Sequence, residues 1–465
     1  MRQHEDEDPK FAPRPVVLIT GGTGAVGHGI CLRLLYQLSQ PFQLDLSSAY
    51  HLKSEQERRE EIEQQRGELD EDYQSIYGTP NGLTLLVGCR SESKCRTTQI
   101  ELEKGLRKLI EAEGKDEQED LIFSYIDRQS GQVETMTFYE YRSRWLDQLT
   151  IEWVPMDLYH AQSVVDAVKL VNQRYGYLTH LLLNAGGGPF VGIDWIGLVK
   201  AFLRNFLNAL TYPDYLIQAR EAKETVDGIP ETWQLNVFSH YLLARESLPL
   251  LAKGSKRTSS RTRIIWTGSL DGQPAFFDRK DLECFHSTAH AYQSTKYQSE
   301  LVGQAFQDVI AKHGLDSSVV SLVAHPGVVA GNMFLPIIGR LMDTMMRWVF
   351  YFARLVLGSP HHLIDGYLAA LVWTKLCLTT DHITNARSNE KAANQAESDG
   401  AGRGGSLNCR HFRFGAQCNR WGRPYVVLED CVPAQNRVDQ RLTDQRLVVD
   451  HCDRKADALM RLWAS

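Results

Sequence analysis

Short apolar runs rich in β-branched residues recur along the chain, and each is followed by a segment in which apolar residues return every three to four positions. Runs of the first kind are typical of buried strands, and segments of the second kind are typical of amphipathic helices. Their alternation predicts an α/β fold, a doubly wound parallel sheet with helices on both faces. The predicted strands are 15–20, 83–89, 151–156, 177–183, 263–267 and 318–324.

Polar stretches interrupt this alternation without starting a second one, which indicates one domain with insertions. We predict insertions at about 41–80 and 113–144, where charged and polar residues predominate. The predicted organisation is a flexible N-terminus over 1–14, the α/β domain over 15–379, a flexible excursion over 380–405 and a C-terminal segment over 406–465.

Composition narrows the function classes. Of 465 residues, 43% are hydrophobic and 23% are charged, which excludes collagen-like, coiled-coil and wholly disordered chains. The net charge of −6 argues against nucleic acid as a partner. Nine cysteines without a C-x-x-C pair fit a reducing compartment and predict no metal site. We also find no signal peptide and no apolar run long enough to span a membrane.

A glycine-rich turn follows the first predicted strand and reads Thr20-Gly21-Gly22-Thr23-Gly24-Ala25-Val26-Gly27. Glycines at such a turn let the backbone approach a pyrophosphate, and the N-terminus of the next helix offers free N–H groups to it. The turn therefore predicts a dinucleotide site, although a tight turn that binds nothing would show the same pattern. The predicted contacts are Thr20, Gly21, Gly24 and Gly27.

Residues at the ends of the next strands suggest which dinucleotide binds. Arg90 closes the second strand, where an acid would bond the ribose 2′-hydroxyl of NAD, so this cation favours the 2′-phosphate of NADPH, unless it is a mere surface charge. Asp157 follows the third strand and suits the adenine amino group, but it could equally cap the next helix. Asn184 ends the fourth strand, beside the expected nicotinamide ribose.

Tyr292 and Lys296 lie four residues apart, which places them one turn from each other on the same helix face. A tyrosine of ordinary pKa, about 10, needs a lowering of roughly 3 units to operate near neutrality. We expect the Lys296 ammonium and the nicotinamide cation to supply it. The position of this pair in the chain makes the motif more specific, because it follows a strand that leads to Ser269 and precedes Pro326-Gly327.

With these motifs in this order, the chain resembles the short-chain dehydrogenase/reductase family, whose fold is of the Rossmann type. The resemblance implies that Tyr292 donates a proton, that Lys296 holds the nicotinamide ribose and that Ser269 polarises the substrate carbonyl. It also implies that Asn236 holds a water of the proton relay, and that Pro326 and Gly327 contact the cofactor.

The chain departs from the common family pattern at two positions. Ala25 stands where a glycine is usual, and Gly331 stands where a threonine is often found. These differences put one phosphate contact and one contact to the nicotinamide amide in doubt. Neither removes a catalytic group.

Three further segments resemble fungal 3-ketosteroid reductases of sterol C-4 demethylation: 192–197, 358–367 and Arg413-Phe414-Gly415-Ala416. The resemblance implies NADPH-dependent reduction of a sterol 3-ketone at the cytosolic face of the endoplasmic reticulum membrane and on lipid droplets. It implies as partners the other C-4 demethylation enzymes and oxidosqualene cyclase. Two alternatives stay open, a 17β-hydroxysteroid dehydrogenase or other lipid carbonyl reductase, and a non-catalytic scaffold for sterol-synthesis enzymes.

A strongly apolar segment at 333–357 carries its charges within an arc of roughly 60° on a helix. These charges are Arg340, Asp343, Arg347 and Arg354. A helix with one polar stripe can lie in a lipid interface, but it could also pack on the core or in a dimer interface. We predict peripheral membrane attachment through its apolar side chains, with Met346, Val349 and Phe350 among them. A weaker version of the pattern occurs at 196–210.

A sterol ketone needs an apolar slot with few polar anchors. We expect its walls at 190–196, at Phe276-Phe277 and in the region after Pro326. The longer stretch 276–285 is expected to line the mouth of the slot.

Overall fold

The computed structural model describes residues 14–41, 77–112, 122–126, 133–331, 334–378, 412–431 and 438–464. Most of the predicted first insertion, nearly all of the N-terminal segment and the predicted excursion 380–405 lie outside the described residues.

Eight of the described strands form one sheet, in the order β14-β13-β10-β9-β6-β1-β2-β5. Neighbouring strands run parallel except β14, which pairs antiparallel with β13. The predicted doubly wound α/β fold is therefore confirmed, and all six predicted strands are present. The sheet strands are β1 (Val16–Thr20), β2 (Thr84–Cys89), β5 (Thr150–Pro155), β6 (His180–Leu183), β9 (Thr262–Thr267), β10 (Val319–His325), β13 (Phe412–Cys418) and β14 (Pro424–Asp430).

The remaining described strands form small pairs outside this sheet. They are β3 (Ile122–Ile126) with β4 (Val133–Thr137), β7 (Phe190–Ile193) with β8 (Leu216–Gln218), and β11 (Val328–Val329) with β12 (His362–Ile364).

The strand order reverses direction between β1 and β6. From β1 the chain passes outward to β2 and β5, and then crosses back to β6 on the other side of β1. In open α/β sheets such a switch point opens a crevice at the carboxyl ends of the strands, and ligands bind there. The topology thus fixes where a site can form.

Helices cover both faces of the sheet and divide its core in two. One core packs α1, α2, α3 and α11 against the sheet, and the other packs α4, α7, α8 and α12. The helices are α1 (Ala25–Leu38), α2 (Glu92–Ala112), α3 (Phe138–Asp147), α4 (Ala161–Tyr175), α5 (Trp195–Arg204), α6 (Phe206–Thr211), α7 (Ser239–Thr258), α8 (Ala291–Lys312), α9 (Leu335–Leu355), α10 (Gly366–Ala369), α11 (Leu371–Leu378) and α12 (Val438–Ala464).

Part of the predicted second insertion, 113–144, has regular structure. The strands β3 and β4 form an antiparallel hairpin that leads into α3. Thr137 and Glu140 form a capping box at the start of α3, and Tyr141 and Trp145 bury their rings in the core. These aromatic residues lie four positions apart on one helix face, which explains how a hydrophilic segment packs on the domain.

Candidate active site

A cavity of about 710 Å³ lies at the carboxyl ends of the central strands. This volume is within the range of small-molecule sites. Its lining runs from Arg90 and Asp157 at one end, past the glycine turn, to Ser269, Tyr292 and Lys296, and then to an apolar wall. The wall consists of Leu210, Phe334, Met346 and Phe350.

The glycine turn is held by contacts that only glycine permits. Gly21 has a φ of 66°, and its carbonyl accepts a hydrogen bond of 3.0 Å from the N–H of Gly24. A Cβ at Gly27 would lie 2.2 Å from the same carbonyl. Gly21, Gly24 and Gly27 all line the cavity. Because these residues have no side chain on the cavity side, their backbone stays accessible to a phosphate bound in the cavity.

Thr20 lies beneath this turn, fully buried, and is not among the cavity-lining residues. Its Oγ1 accepts hydrogen bonds from the N–H groups of Asn184 and Ala185, at 2.9 and 3.0 Å. Asn184 Nδ2 donates in turn to the carbonyls of Thr20 and Gly21, both at 3.2 Å. Thr20 therefore joins β1 to β6, whereas Asn184 both holds the turn and lines the cavity.

The end of the cavity at β2 and β5 carries one exposed cation and one carboxylate. The Arg90 guanidinium lies 5.3 Å from the centre of the Tyr159 ring. Asp157 Oδ1 accepts a hydrogen bond of 3.0 Å from the Tyr159 N–H, in the turn before α4. Asp157 thus lines the cavity and stabilises this turn, but it does not cap α4, whose N-cap is His160.

Tyr292 is partly buried at the start of α8, and its pKa is raised to about 12. Burial is the main cause and the Asp271 carboxyl adds to it, while a hydrogen bond with Ser269 opposes both. The lowering expected from Lys296 is therefore not seen among the groups of the protein, because desolvation penalises the phenolate more. At neutral pH the phenol keeps its proton and can donate it.

Lys296 is buried one turn further along α8. Its Nζ donates to the Thr267 carbonyl at 3.3 Å and lies close to Gly186, where a Cβ would come within 2.7 Å of it. Burial lowers the pKa of Lys296 to about 8, and the Glu300 carboxylate opposes this lowering. The ammonium consequently lies between the loop after β6 and the end of β9.

Asn236 belongs to a π-helical turn, Gln234–Phe238, directly before α7. Such turns are frequent at functional sites. Its side chain exchanges hydrogen bonds of 2.8 and 3.0 Å with the backbone of Gly187 and donates to Thr295 Oγ1 at 2.9 Å. Its carbonyl accepts from Ser299 Oγ at 2.9 Å. Asn236 thus lies behind the cavity wall, where it fastens the loop after β6 to α8.

Asp271 was not singled out in the sequence, yet it lines the cavity. Its N–H donates to Ser269 Oγ at 3.2 Å, and burial raises the pKa of its carboxyl to about 7. The only sequence signal is an acid two residues after the predicted catalytic serine.

The apolar wall differs from the predicted one at Phe276 and Phe277. These rings pack instead on His290 and Tyr297, with ring centres 4.1 and 5.5 Å apart, and neither lines the cavity. None of 276–285 belongs to the cavity lining. Phe190 does approach the site, since its ring centre lies 5.2 Å from that of Tyr292.

The charges of α9 do not face solvent as a stripe. Asp343 and Arg354 are buried, Arg347 Nε lies 2.8 Å from Asp343 Oδ2, and Arg354 donates to the Leu363 carbonyl at 3.2 Å. The helix is interrupted at Gly339, whose φ is 72°. Arg340 remains exposed and Arg347 partly exposed, so the expected polar stripe is broken by the two charged groups that find buried ionic and backbone partners.

Apolar side chains of α9 and α5 point outward instead. Met346, Val349 and Phe350, expected at the lipid surface, pack inward against the residues of α6. Phe206 of α6 and Phe352 of α9 bring their ring centres to 6.1 Å, which makes the two elements neighbours. We call the exposed set the apolar platform: Trp195, Ile196, Val199, Leu203, Leu341, Met345, Trp348 and Phe352.

None of the helices in the described ranges combines the length and the hydropathy that are needed to cross a bilayer.

A scan against protein-family models finds no match. Curated relatives do match. The chain is 33% identical to the 3-keto-steroid reductase of Saccharomyces cerevisiae over 234 residues, which cover 50% of this chain and 64% of the relative. It is 30% identical to that of Schizosaccharomyces pombe, covering 50% and 66%, and 32% identical to that of Eremothecium gossypii, covering 47% and 59%. The resemblance to short-chain reductases of this fungal type is confirmed. The chain spans less than two thirds of the length of these relatives.

Solved structures match the chain more loosely. RhlG of Pseudomonas aeruginosa, in complex with NADP, has a TM-score of 0.42 at 14% identity and covers 78% of this chain and 89% of its own. An NADPH-bound carbonyl reductase from chicken fatty liver has a TM-score of 0.34 at 15% identity, with coverage of 70% and 82%.

Proposed function

We propose that the protein is a 3-ketosteroid reductase that transfers hydride from NADPH to the C3 ketone of a sterol intermediate, in the C-4 demethylation stage of ergosterol-type sterol synthesis. One observation carries the proposal. Ser269, Tyr292 and Lys296 meet in one cavity, between a glycine turn suited to a dinucleotide and an apolar wall suited to a sterol. The similarity to fungal 3-keto-steroid reductases supports the choice of substrate.

The residues present fit a nicotinamide dinucleotide, because Gly21, Gly24 and Gly27 leave open backbone beside the N-terminus of α1. When bound, this cofactor supplies the hydride. Ser269 hydrogen-bonds the substrate oxygen, and the protonated Tyr292 gives its proton to that oxygen as charge develops on it. The buried Lys296 favours the phenolate that is left, and Asn236 fixes the loop against which Lys296 lies.

The proposed preference for NADPH over NADH rests on Arg90. Its guanidinium is exposed at the carboxyl end of β2, and the Tyr159 ring beside it orients the side chain. A 2′-phosphate at this position would form a hydrogen-bonded ion pair with the guanidinium, whereas a neutral 2′-hydroxyl would not.

The decisive experiment follows NADPH oxidation with a 3-ketosteroid and with a 17-ketosteroid of the same ring system. Turnover of the 3-ketone, with the 17-ketone at least tenfold slower, is expected. The reverse preference would identify a 17β-hydroxysteroid dehydrogenase. An absence of turnover with both, in a protein that binds NADPH, would favour a non-catalytic scaffold.

We also propose that the protein attaches peripherally to a membrane, that of the endoplasmic reticulum and of lipid droplets. The apolar platform supports this, because Trp348 and Leu341 are 71% and 76% exposed and their helix also supplies Met346 and Phe350 to the cavity wall. A sterol could then enter the cavity from the lipid. Lys200 and Arg204 are exposed on α5, the other helix of the apolar platform, where they suit the anionic head groups of lipids.

Other enzymes of C-4 demethylation and oxidosqualene cyclase remain the proposed partners. The proposal is tested by affinity purification from membranes of a fungus that expresses the tagged protein, with Tyr292→Phe as bait in parallel. Recovery of the same enzymes with both baits is expected, since the substitution leaves the outer surface intact.

A further inference from the structure

The C-terminal hairpin of β13 and β14 joins the edge of the sheet beside β10, and it carries the Arg-Phe-Gly-Ala motif that stood out in the sequence. Nothing in the proposed chemistry uses this motif. Arg413, its first residue, points back toward the catalytic end of the sheet and is only 15% exposed at its side chain.

Arg413 contacts two of the segments that carry the catalytic groups. Its guanidinium donates to the backbone carbonyl of Ser269 at 3.2 Å and to Glu300 Oε1 at 2.6 Å. Ser269 lies just beyond β9, and Glu300 lies one turn after Lys296 on α8. A single side chain therefore ties the serine segment to the lysine helix.

Glu300 gives this link an electrostatic consequence. Its carboxylate is 2% exposed and raises the pKa of Lys296 against the effect of burial. A buried carboxylate needs a paired cation, and Arg413 is the closer of two, since Arg441 lies 4.0 Å away. The carboxylate packs so tightly that a Cβ at Gly268 would come within 2.7 Å of it.

Arg413 is itself oriented from the second strand of the hairpin. Its Nε donates to Glu429 Oε2 at 2.9 Å, and His325 Nε2 lies 3.0 Å from the same carboxylate. His325 Nδ1 accepts from the N–H of Gly327, a predicted cofactor contact, at 3.2 Å. A Cβ at Gly415 would meet both His325 and Glu429, so the glycine of the motif makes room for the network.

We infer that Arg413 is a positioning residue, which holds the Ser269 segment and the Lys296 helix in their reactive arrangement from the C-terminal hairpin. The inference rests on the proposed reductase activity. It assigns a function to the C-terminal hairpin. In the sequence, this hairpin follows the preceding described helix only after more than thirty residues that lie outside the described ranges.

Arg245 offers a matched control. It is 17% exposed, and it also pairs with two carboxylates of the C-terminal part of the chain, Asp453 at 3.3 Å and Asp457 at 2.9 Å. Arg245 lies on α7, and within the described residues it bonds to Glu246, Asp453 and Asp457, none of which belongs to a segment that carries a catalytic group. Arg413→Ala and Arg245→Ala thus remove similar ion pairs, only one of which touches the site.

The experiment measures kcat and KM for the 3-ketosteroid in both variants, at a temperature at which circular dichroism shows them folded. Arg413→Ala should lower kcat about tenfold or more while KM changes by less than about threefold, because misplaced groups slow the chemical step. Arg245→Ala should keep kcat within about twofold. Arg413→Lys should recover only part of the loss, since an ammonium cannot span Ser269, Glu300 and Glu429 as a guanidinium does.

Wild-type kcat in folded Arg413→Ala, or an equal loss in Arg245→Ala, overturns the inference. If Arg413→Ala does not fold, Arg413→Lys takes its place, and a wild-type kcat in that variant overturns the inference too. Hydrogen exchange at 268–272 tests the positioning without any turnover. Faster exchange in the Arg413 variant alone is expected, and unchanged exchange contradicts it. A wild-type protein that reduces no 3-ketosteroid would instead refute the proposed function.

Discussion

The helices α8 and α9 border the same cavity, and their side chains are distributed in opposite ways. On α8, polar residues are buried along nearly the whole length, among them Thr295, Lys296 and Glu300. On α9, large apolar residues such as Leu341 and Trp348 are exposed, while Asp343 and Arg354 are buried. The more polar helix is the buried one.

The difference follows from what each helix contacts. Buried polar groups are tolerated where every one has a partner, and α8 has partners in the π-helical turn, in β9 and in the C-terminal hairpin. Exposed apolar groups are costly in water, and this cost is the reason for proposing that α9 lies against a membrane. In the proposed function α8 carries the catalytic groups and α9 contacts the membrane, and substitutions should separate these two roles.

The largest expected effect is on α8. Tyr292→Phe should lower turnover by about 10² to 10⁴, the usual contribution of general acid catalysis, because it removes the transferable proton. Binding of NADPH, followed by fluorescence, and binding to lipid vesicles should both stay near wild type. More than a tenth of wild-type turnover in this variant would refute the role of Tyr292.

Substitutions on α9 should have the converse effect, a loss of membrane binding without a loss of turnover. Leu341→Glu with Trp348→Glu should weaken binding to vesicles of phosphatidylcholine and phosphatidylinositol by more than about tenfold, since each large apolar side chain contributes roughly 1.5 to 3 kcal/mol. Turnover of a water-soluble 3-ketosteroid should not change. Flotation assays measure the first effect and NADPH oxidation the second.

Ile100→Glu is the control, because Ile100 is 65% exposed but lies on α2, which packs against α1, β2 and β5. It should leave vesicle binding unchanged. If the α9 variant stays bound to vesicles, another surface attaches the protein.

A smaller effect is expected at the cofactor end, which neither helix forms. Arg90→Ala should weaken NADPH binding by about tenfold and leave NADH almost unchanged, because one charge-assisted contact contributes roughly 1.5 to 3 kcal/mol. Titration of both cofactors tests this. Arg96→Ala removes an exposed cation of α2 that pairs with Glu92, and it should change neither affinity. Equal losses for both cofactors in Arg90→Ala would make Arg90 structural.

The smallest effect concerns the pH dependence of the α8 site. The Asp271 carboxyl, of pKa about 7, faces Tyr292, Tyr212 and Tyr215, and it is neutral below that pH. As the pH rises through 7, its charge opposes the phenolate that forms on Tyr292. We therefore expect kcat/KM to fall by about two- to fivefold.

Asp271→Asn should abolish this step and keep a second decline near pH 8, where Lys296 loses its proton. The pH profiles of the two proteins decide the matter. A step near pH 7 that persists in Asp271→Asn would assign it to another group.

The local pattern of the sequence was sufficient for the sheet and for the main motifs. Alternating short apolar runs placed all six central strands, because a buried parallel strand must be apolar on both faces. The glycine turn and the Tyr292–Lys296 spacing are equally local, since each lies within one turn of one element. Cavity lining by Ser269, Tyr292, Lys296 and the three glycines follows once these elements join one sheet.

Only the tertiary structure decided which side chains face water and which groups each side chain contacts. A helical wheel shows that the charges of α9 lie together, but not whether they face water or the Leu363 carbonyl. The sequence likewise did not reveal that Thr20 is buried under its turn or that Phe276 packs on His290. Arg413 meets Ser269 across 144 positions of sequence. Residue spacing determines which side chains share a face, whereas burial, pKa and partners depend on what folds against that face.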